Sequence, residues 1–315
     1  MCSPCPALAA AAVTPGPANR RRGSHRPAVS AQDGSMSTAS VPTLALNNGT
    51  SIPQLGFGTF KIPPEQTRDL VTVALETGYR HLDTAQMYRN ERGVGDAIAA
   101  AGLPRDELFV TTKLNNAFHA HDDALAAFDR SLDELQLDHV DLFLIHWPLP
   151  AVDRYVEAWG ALEEIYRSGR ARAIGVSNFE PRHLRRLLAE TTVVPAVNQV
   201  EVHPWLGNEE VRAVDAEHDI VTEAWSPLGR GRVLEDPTIA RIAADHDRTP
   251  AQVVLRWHVE RGDVVFPKSV TPARIAENFG LFDFTLSDAD MADITGLDRG
   301  ERIGSHPEEM NDTGR

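Results

Sequence analysis

The sequence predicts an α/β protein: a (β/α)8 TIM barrel with an N-terminal β-hairpin and a C-terminal tail. Eight short apolar runs carry this reading, at 55–59, 79–83, 108–113, 140–146, 172–177, 196–200, 220–225 and 263–267, with start-to-start steps of 24 to 43 residues. Segments of helical period separate them. One run, Leu142-Phe143-Leu144-Ile145, is apolar at consecutive positions, as a strand covered on both faces must be. Eight such units in about 280 residues match a barrel in count and size. A doubly wound open sheet competes, but it requires a G-x-G-x-x-G after its first strand. Here Gly56-Phe57-Gly58 is followed by Thr59-Phe60-Lys61, and Gly229-Arg230-Gly231 comes late and opens no regular helix.

Taken in order, residues 43–53 read as a hairpin, because Asn47-Asn48-Gly49 tolerates positive φ between Leu44, Leu46 and Ile52. Leu70, Val71, Ala74 and Leu75 share a helix face that Gly78 ends. A second helix starts near Asn90. Leu125, Phe128, Leu132 and Leu135 step by three and four, as do Val156, Trp159, Leu162 and Tyr166 up to Gly169. Pro181 opens the next helix with Leu184, Leu187 and Leu188 inward. Asn208 opens another. Segments 238–246 and 250–259 form a helix pair before the last strand, and 271–279 follows it.

The chain of 315 residues is 42% hydrophobic with a net charge of −14, a globular composition. It contains no apolar run long enough to span a membrane, and its acidity argues against a nucleic-acid surface. Residues 1–36 differ: they are rich in Ala, Pro, Ser and Arg, with four Arg against one Asp, and they hold both cysteines, Cys2 and Cys5. Two readings stay open there, a disordered arm or an upstream start codon with Met36 as the initiator. The folded part, 37–315, has no cysteine, which fits a cytoplasmic enzyme that needs no disulfide. No His, Asp or Cys set has metal-ligand spacing, so no metal is expected. The absence of G-x-S-x-G disfavours a serine hydrolase.

Barrel active sites gather at the C-terminal strand ends. Standing there are Thr59, Asp83, Lys113, His146, Ser177 with Asn178, Gln199 with Glu201, Trp225 with Ser226, and Lys268 with Ser269. Asp83 closes a strand and Tyr88 falls five residues later in a loop, a proton-handling pair in the making. The lysines add weight. Among 31 basic residues only Lys61, Lys113 and Lys268 are Lys. A chain that otherwise writes Arg keeps Lys where a compact ammonium with a tunable proton is needed, and two of the three stand at strand ends.

Asp83 in H-L-D-T-A, Tyr88 before Asn90-Glu91, Lys113 in T-T-K and His146 in I-H-W-P resemble, in order and spacing, the catalytic tetrad of the aldo-keto reductases. Gly175-Val176-Ser177-Asn178-Phe179, Val197-Asn198-Gln199-Val200-Glu201, Ser226-Pro227-Leu228-Gly229 and Pro267-Lys268-Ser269-Val270 extend the likeness from about 43 to 309. Trp225, the Phe266-Pro267-Lys268-Ser269-Val270 run and the short tail near Ser305-His306-Pro307 are similar to bacterial 2,5-diketo-D-gluconate reductases.

The resemblance implies NADPH-dependent reduction of small aldehydes or ketones, among them dicarbonyls and keto-sugar acids such as 2,5-diketo-gluconate, by a monomer. Tyr88 would be the general acid, its pKa lowered by Lys113. Asp83 would hold Lys113, and His146 would orient the carbonyl. Phe60 and Trp147 would wall the substrate pocket. Ser177, Asn178 and Gln199 resemble the family's carboxamide ligands, and Trp225 offers a face to the nicotinamide. Lys268, Ser269 and Arg274 resemble its 2′-phosphate clamp, with Glu277 and Asn278 at the adenine. Ser226, Pro227, Leu228, Gly229, Gly231, Val270 and Thr271 complete the implied cofactor contacts. Two positions depart from the family: Arg89 stands where Gly is common and Asn115 where many members carry Trp. Two other readings remain: a non-catalytic NADPH-binding regulatory protein on the same barrel, as in potassium-channel β-subunits, and a barrel lyase or aldolase with Lys113 as a Schiff base.

Overall fold

The computed structural model describes Met1 and residues 41–314, so the extension at 1–36 lies, Met1 apart, outside the described residues. The hairpin comes first. Strands β1 (Thr43–Ala45) and β2 (Ser51–Pro53) pair antiparallel, and Gly49 takes a φ of 84° in the turn. Leu46 and Ile52 are buried against Phe109, Leu142, Ala196 and Val197. Asn47 Nδ2 donates to the Pro195 carbonyl and Asn48 Nδ2 to that of Arg172, each at 2.9 Å. These carbonyls stand where two barrel strands begin. The hairpin therefore seals the N-terminal end of the barrel, leaving the opposite end for chemistry.

Eight strands follow: β3 (Gly56–Gly58), β4 (His81–Asp83), β5 (Phe109–Leu114), β6 (Val140–Ile145), β7 (Ala171–Ser177), β8 (Val197–Glu201), β9 (Val221–Trp225) and β10 (Val264–Val265). Each pairs in parallel with its sequence neighbour. The two edges meet: Leu55 bridges Val265, the Val265 N–H donates to Gln54 O at 2.8 Å, and the Gly58 N–H donates to Pro267 O at 3.4 Å. The sheet thus closes and leaves no long unpaired edge.

Around it lie α1 (Pro64–Thr77), α2 (Glu91–Ala101), α3 (His121–Leu135), α4 (Tyr155–Arg167), α5 (Pro181–Glu190), α6 (Glu209–Glu217), α7 (Pro237–Asp245), α8 (Pro250–Glu260), α9 (Pro272–Phe279) and α10 (Asp288–Thr295). Proline opens five of them, where its missing N–H costs nothing. Leu184 and Leu187 are fully buried, whereas Leu188 is only partly so. The sequence reading missed α10. Its signal is a capping box, in which the Ser287 side chain accepts from the Asp290 N–H and the Asp290 carboxylate accepts from the Ser287 N–H. No helix among the described residues is long and apolar enough to cross a membrane.

Strand alternation divides the core in two. On β6, Phe143 and Ile145 join Phe128, Leu132, Trp159 and Leu162 beneath the helices, while Leu142 and Leu144 join Ala173, Val197 and Val264. The second set fills the barrel interior above the hairpin. Nearer the C-terminal strand ends the interior turns polar: Asp83, Lys113, Gln199 and Glu223 are all at most 2% exposed.

Close approach of helices is set by one residue at the α2–α3 contact. A Cβ at Gly95 would overlap the Leu135 carbonyl, whereas one at Gly160 in α4 would meet nothing within 4 Å. Gly95→Ala should therefore cost about 1–3 kcal/mol by overpacking. Gly160→Ala should gain up to about 1 kcal/mol by helix propensity. Urea unfolding of the two variants checks this, and equal midpoints would contradict it.

Candidate active site

Strand β4 carries Asp83 inward at its last residue, level with Thr111 of β5. Two residues on, the alternation of β5 returns Lys113 to the same face. Lys113 is fully buried. Its Nζ donates to both Asp83 oxygens at 2.8 Å and to the Thr84 carbonyl at 2.9 Å, and it lies 3.4 Å from the Tyr88 hydroxyl. An ammonium has three protons, and the short contacts use all three. Tyr88 therefore meets the lysine more as a charge than as a hydrogen-bond donor.

The loop that carries Tyr88 is tied at both ends. Asn90 Nδ2 donates to Thr59 O at 3.0 Å and Ile62 O at 3.2 Å, while Asn90 Oδ1 accepts from Thr84 Oγ1 at 3.2 Å. Gln86 Nε2 donates to Ala127 O at 2.7 Å and Ser131 Oγ at 2.9 Å, and Gln86 Oε1 accepts the Asn115 N–H at 2.8 Å. Between them a 3-10 turn, Gln86–Tyr88, ends on Arg89 with φ 57°. This left-handed conformation explains why glycine suits the position; an Arg there bears about 1 kcal/mol of strain.

His146 leaves the end of β6 with its ring centroid 5.6 Å from that of Tyr88, and Phe60 approaches Tyr88 from the other side at 5.1 Å. Phe60 remains 47% exposed, and Trp147, next to His146, is half-buried. The carboxamide candidates join the same network. Ser177 Oγ donates to Gln199 O at 2.8 Å, Asn178 Nδ2 donates to His146 O at 2.9 Å, and Trp225 Nε1 donates to Asn178 Oδ1 at 2.8 Å. Gln199 Nε2 donates to Asp83 Oδ2 at 2.9 Å. The tetrad and these four residues form one connected cluster.

The electrostatics correct one expectation. The Lys113 charge by itself predicts a Tyr88 phenol below its ordinary pKa. Burial instead lifts the phenol to about 12, and the Lys113 charge pulls it back only in part. Burial also opposes the charge on Lys113, but Asp83 and Tyr88 outweigh it and its pKa is raised. Burial and the Lys113 charge hold His146 well below the usual imidazole range, so the ring is neutral.

The phosphate-clamp candidates stand apart from this cluster, after β10 and along α9. Ser269 Oγ accepts the Thr271 N–H at 3.0 Å and Asn278 is buried, while Val270, Thr271 and Arg274 are exposed and Glu277 is partly so. Lys61, Lys268 and Arg274 make no ion pair among the described residues. Burial and the charge of Lys61 both lower the Lys268 pKa, which marks two cations held together without an acid. Between Trp225 and α7 the chain turns tightly through Ser226, Pro227, Leu228, Gly229 and Gly231. Gly229 N–H donates to Ser226 O at 2.8 Å and Gly231 N–H to Leu228 O at 2.7 Å.

Two acids that the sequence reading gave no role are built into the site. The buried Glu201 carboxylate accepts the Ile303 N–H at 2.6 Å and the Gly304 N–H at 2.9 Å, and pins the tail so that Gly304 abuts the Trp225 indole. Further on, Asn116 Nδ2 donates to Asp312 O at 2.8 Å. The tail thus runs from Trp225 toward the β5 loop that holds Asn115. Glu223 is the second acid. Its signal was legible: an acid in the middle of an apolar run, two residues before Trp225 and so on the same strand face.

Residues 54–299 match the model of the Aldo/keto reductase family. An aldo-keto reductase of Mycolicibacterium smegmatis is 51% identical over 273 residues, covering 87% of this chain and 99% of that protein. The methylglyoxal reductase DkgA of Escherichia coli is 46% identical over 274 residues, covering 86% and 99%. Among solved structures, a mutant of Gox0644 in complex with NADPH superposes with a TM-score of 0.83 at 45% identity, covering 86% of this chain and 99% of that one. With matched motifs, a closed eight-stranded barrel and relatives of this identity along nearly its whole folded length, the chain belongs to the aldo-keto reductase family.

Proposed function

We propose that this protein is an NADPH-dependent reductase of small aldehydes and ketones in which Tyr88 donates the proton. The observation that carries this reading is the Lys113 ammonium, buried completely, fastened by Asp83 and set 3.4 Å from the Tyr88 hydroxyl. When bound, NADPH supplies the hydride that reaches the carbonyl carbon.

The protein's own part is to orient the carbonyl and to deliver a proton to its oxygen. Tyr88 holds its proton throughout the neutral range, the state that reduction needs. An alkoxide is a far stronger base than a phenolate, so transfer from Tyr88 Oη runs downhill once the oxygen becomes anionic. The Lys113 charge then stabilises the phenolate left behind. Asp83 keeps that charge in place. The neutral His146 ring carries one N–H with which to orient the carbonyl oxygen.

The residues present suit the cofactor. Among the described residues most arginines are paired with acids, whereas Lys61, Lys268 and Arg274 make no ion pair, as a site for a phosphate dianion requires. We assign Lys268, Ser269 and Arg274 to the 2′-phosphate, with Val270, Thr271, Glu277 and Asn278 alongside. Ser177, Asn178 and Gln199 go to the carboxamide, Trp225 to the ring face, and the 226–231 turn to the remaining contacts. Phe60 and Trp147 flank the substrate. The short tail, pinned to the barrel wall through Glu201, lacks the length to build a deep apolar groove, and methylglyoxal reductases stand among the relatives. We therefore take small dicarbonyls and keto-sugar acids as substrates rather than steroids. We take residues 37–315 as the working unit, acting as a monomer in the cytoplasm, with 1–36 as an extension to it.

Lys113→Arg should lower kcat at least ~10²-fold, because a planar fork cannot take the place of a compact ammonium between Asp83 and Tyr88. Tyr88→Phe should be as damaging, and the double variant little worse than either, since the two act as one unit. Steady-state turnover of methylglyoxal decides, and normal turnover by folded, NADPH-binding Lys113→Arg would remove the assignment. NADPH should be preferred to NADH at least about tenfold in kcat/KM, as a single charge-assisted contact of about 1.5 kcal/mol suffices for that ratio. Lys268→Met with Arg274→Ala should erase most of the preference through KM; equal use of both cofactors by the unaltered enzyme would refute the clamp.

A further inference from the structure

Glu223 sits in the middle of β9, fully buried, and neither the proton-donating cluster nor the cofactor contacts assigned above use it. Its strand pairs with β8 so that Glu223 is level with Gln199. Glu223 Oε2 accepts from Gln199 Nε2 at 2.7 Å, and the same nitrogen donates to Asp83 Oδ2 at 2.9 Å. Glu223 Oε1 is buried without a hydrogen-bond partner among the described residues. An acid in this place is costly, and an apolar side chain would continue the Leu144 and Val197 layer below it without that penalty.

We infer that Glu223 is a positioning residue for the reduction proposed above: it fixes which end of the Gln199 amide faces the cofactor, and its charge state sets how strongly the Asp83–Lys113 pair acts on Tyr88. This rests on the reductase reading and extends it to a residue that does not touch substrate.

Orientation follows from the donor count. The Gln199 amide has two protons, both on Nε2, and both go to carboxyl groups. Turned over, the amide would set Oε1 against the Asp83 carboxylate, which has no proton to give, and would take from Asp83 and from Glu223 Oε2 the N–H donors they have here. The nitrogen therefore stays inward, and Oε1, which accepts no hydrogen bond among the described residues, is left to take an N–H from a bound carboxamide. Without Glu223, Asp83 alone would have to hold the amide.

The charge argument concerns one cation shared by two acids. The charged groups facing Glu223 are Asp83 on β4 and Lys113 on β5; Gln199 on β8 is neutral, and Val264, level with it on β10, brings no charge. Burial and the Asp83 charge push Glu223 up to about 8, so it keeps its proton at neutral pH and leaves Lys113 to Asp83 and Tyr88. On losing that proton it adds a negative charge to the cluster. That charge opposes the phenolate forming at Tyr88, which makes Tyr88 a poorer donor. Reduction should therefore weaken as pH rises through this range, and a side chain that cannot ionise should move the fall to higher pH.

The test uses the full chain, Glu223→Gln and Glu223→Leu, with Tyr88→Phe beside them. Two quantities are read: kcat for methylglyoxal across neutral and alkaline pH, and NADPH affinity by quenching of tryptophan fluorescence. Glu223→Leu should weaken NADPH binding about tenfold, the effect of one lost orienting hydrogen bond. Glu223→Gln, whose Oε1 can still accept from Gln199, should restore most of that affinity while its alkaline limb moves up. Superimposable pH profiles for the wild type and Glu223→Gln would overturn the inference, as would unaltered NADPH affinity in folded Glu223→Leu. Should the Leu variant fail to fold, the Glu223→Gln profile decides alone. Wild-type turnover by Tyr88→Phe would instead sink the reductase mechanism, and the binding titration would still judge Glu223.

Discussion

The C-terminal half of the barrel is arranged around one buried ion pair, Lys113 with Asp83. An ammonium taken fully out of water is expensive, and its attraction to a single carboxylate offsets that cost only when the geometry is good and every proton is used. Here it is met on both counts: both Asp83 oxygens at 2.8 Å and the Thr84 carbonyl at 2.9 Å. Removing either partner would strand the other, so the surrounding strands must hold their register. Gln199 reaches Asp83 from the opposite wall, and Tyr88 is brought to the charge by a loop tied through Gln86 and Asn90. Closure of the sheet between β3 and β10 keeps these walls at fixed distance.

The same barrel separates stability from chemistry along its axis. At one end the hairpin covers a layer of Leu142, Leu144, Ala173 and Val197, which is held by burial alone. At the other end the inward positions are Asp83, Lys113, Gln199 and Glu223, which stabilise little; there the Asp83 charge raises the proton affinities of Lys113 and Glu223. The tail belongs to the second end. It is attached to the wall through the Glu201 carboxylate and packs on the Trp225 indole, so one acid links the site's shape to the residue assigned to the cofactor ring.

Tyr88 shows how a motif can give one contribution to a pKa and miss a larger one. A lysine beside a phenol lowers its pKa, and that term is present. Desolvation of the phenol raises it by more. The sign of a charge–charge term is visible in a motif, whereas the desolvation that competes with it depends on how completely Phe60, His146 and the barrel wall surround the oxygen.

The sequence alone determined the barrel, the hairpin and the order of the site residues. Apolar runs at strand length, helical spacing between them and glycine or proline at their ends are local properties, and local physics sets them. The lysines at 113 and 268 stood out because arginine fills nearly every other basic position. It missed α10, whose capping box is short and whose apolar face is narrow, and it gave no role to Glu201 or Glu223. Tertiary structure decided those. Which acid meets which amide depends on the register between strands far apart in the chain: Glu223 faces Gln199, and Gln199 reaches Asp83, 116 residues away. A hydrogen bond of that span exists only once the sheet has closed, because its two ends share no local constraint and are brought within 3 Å of each other by the packing of everything between.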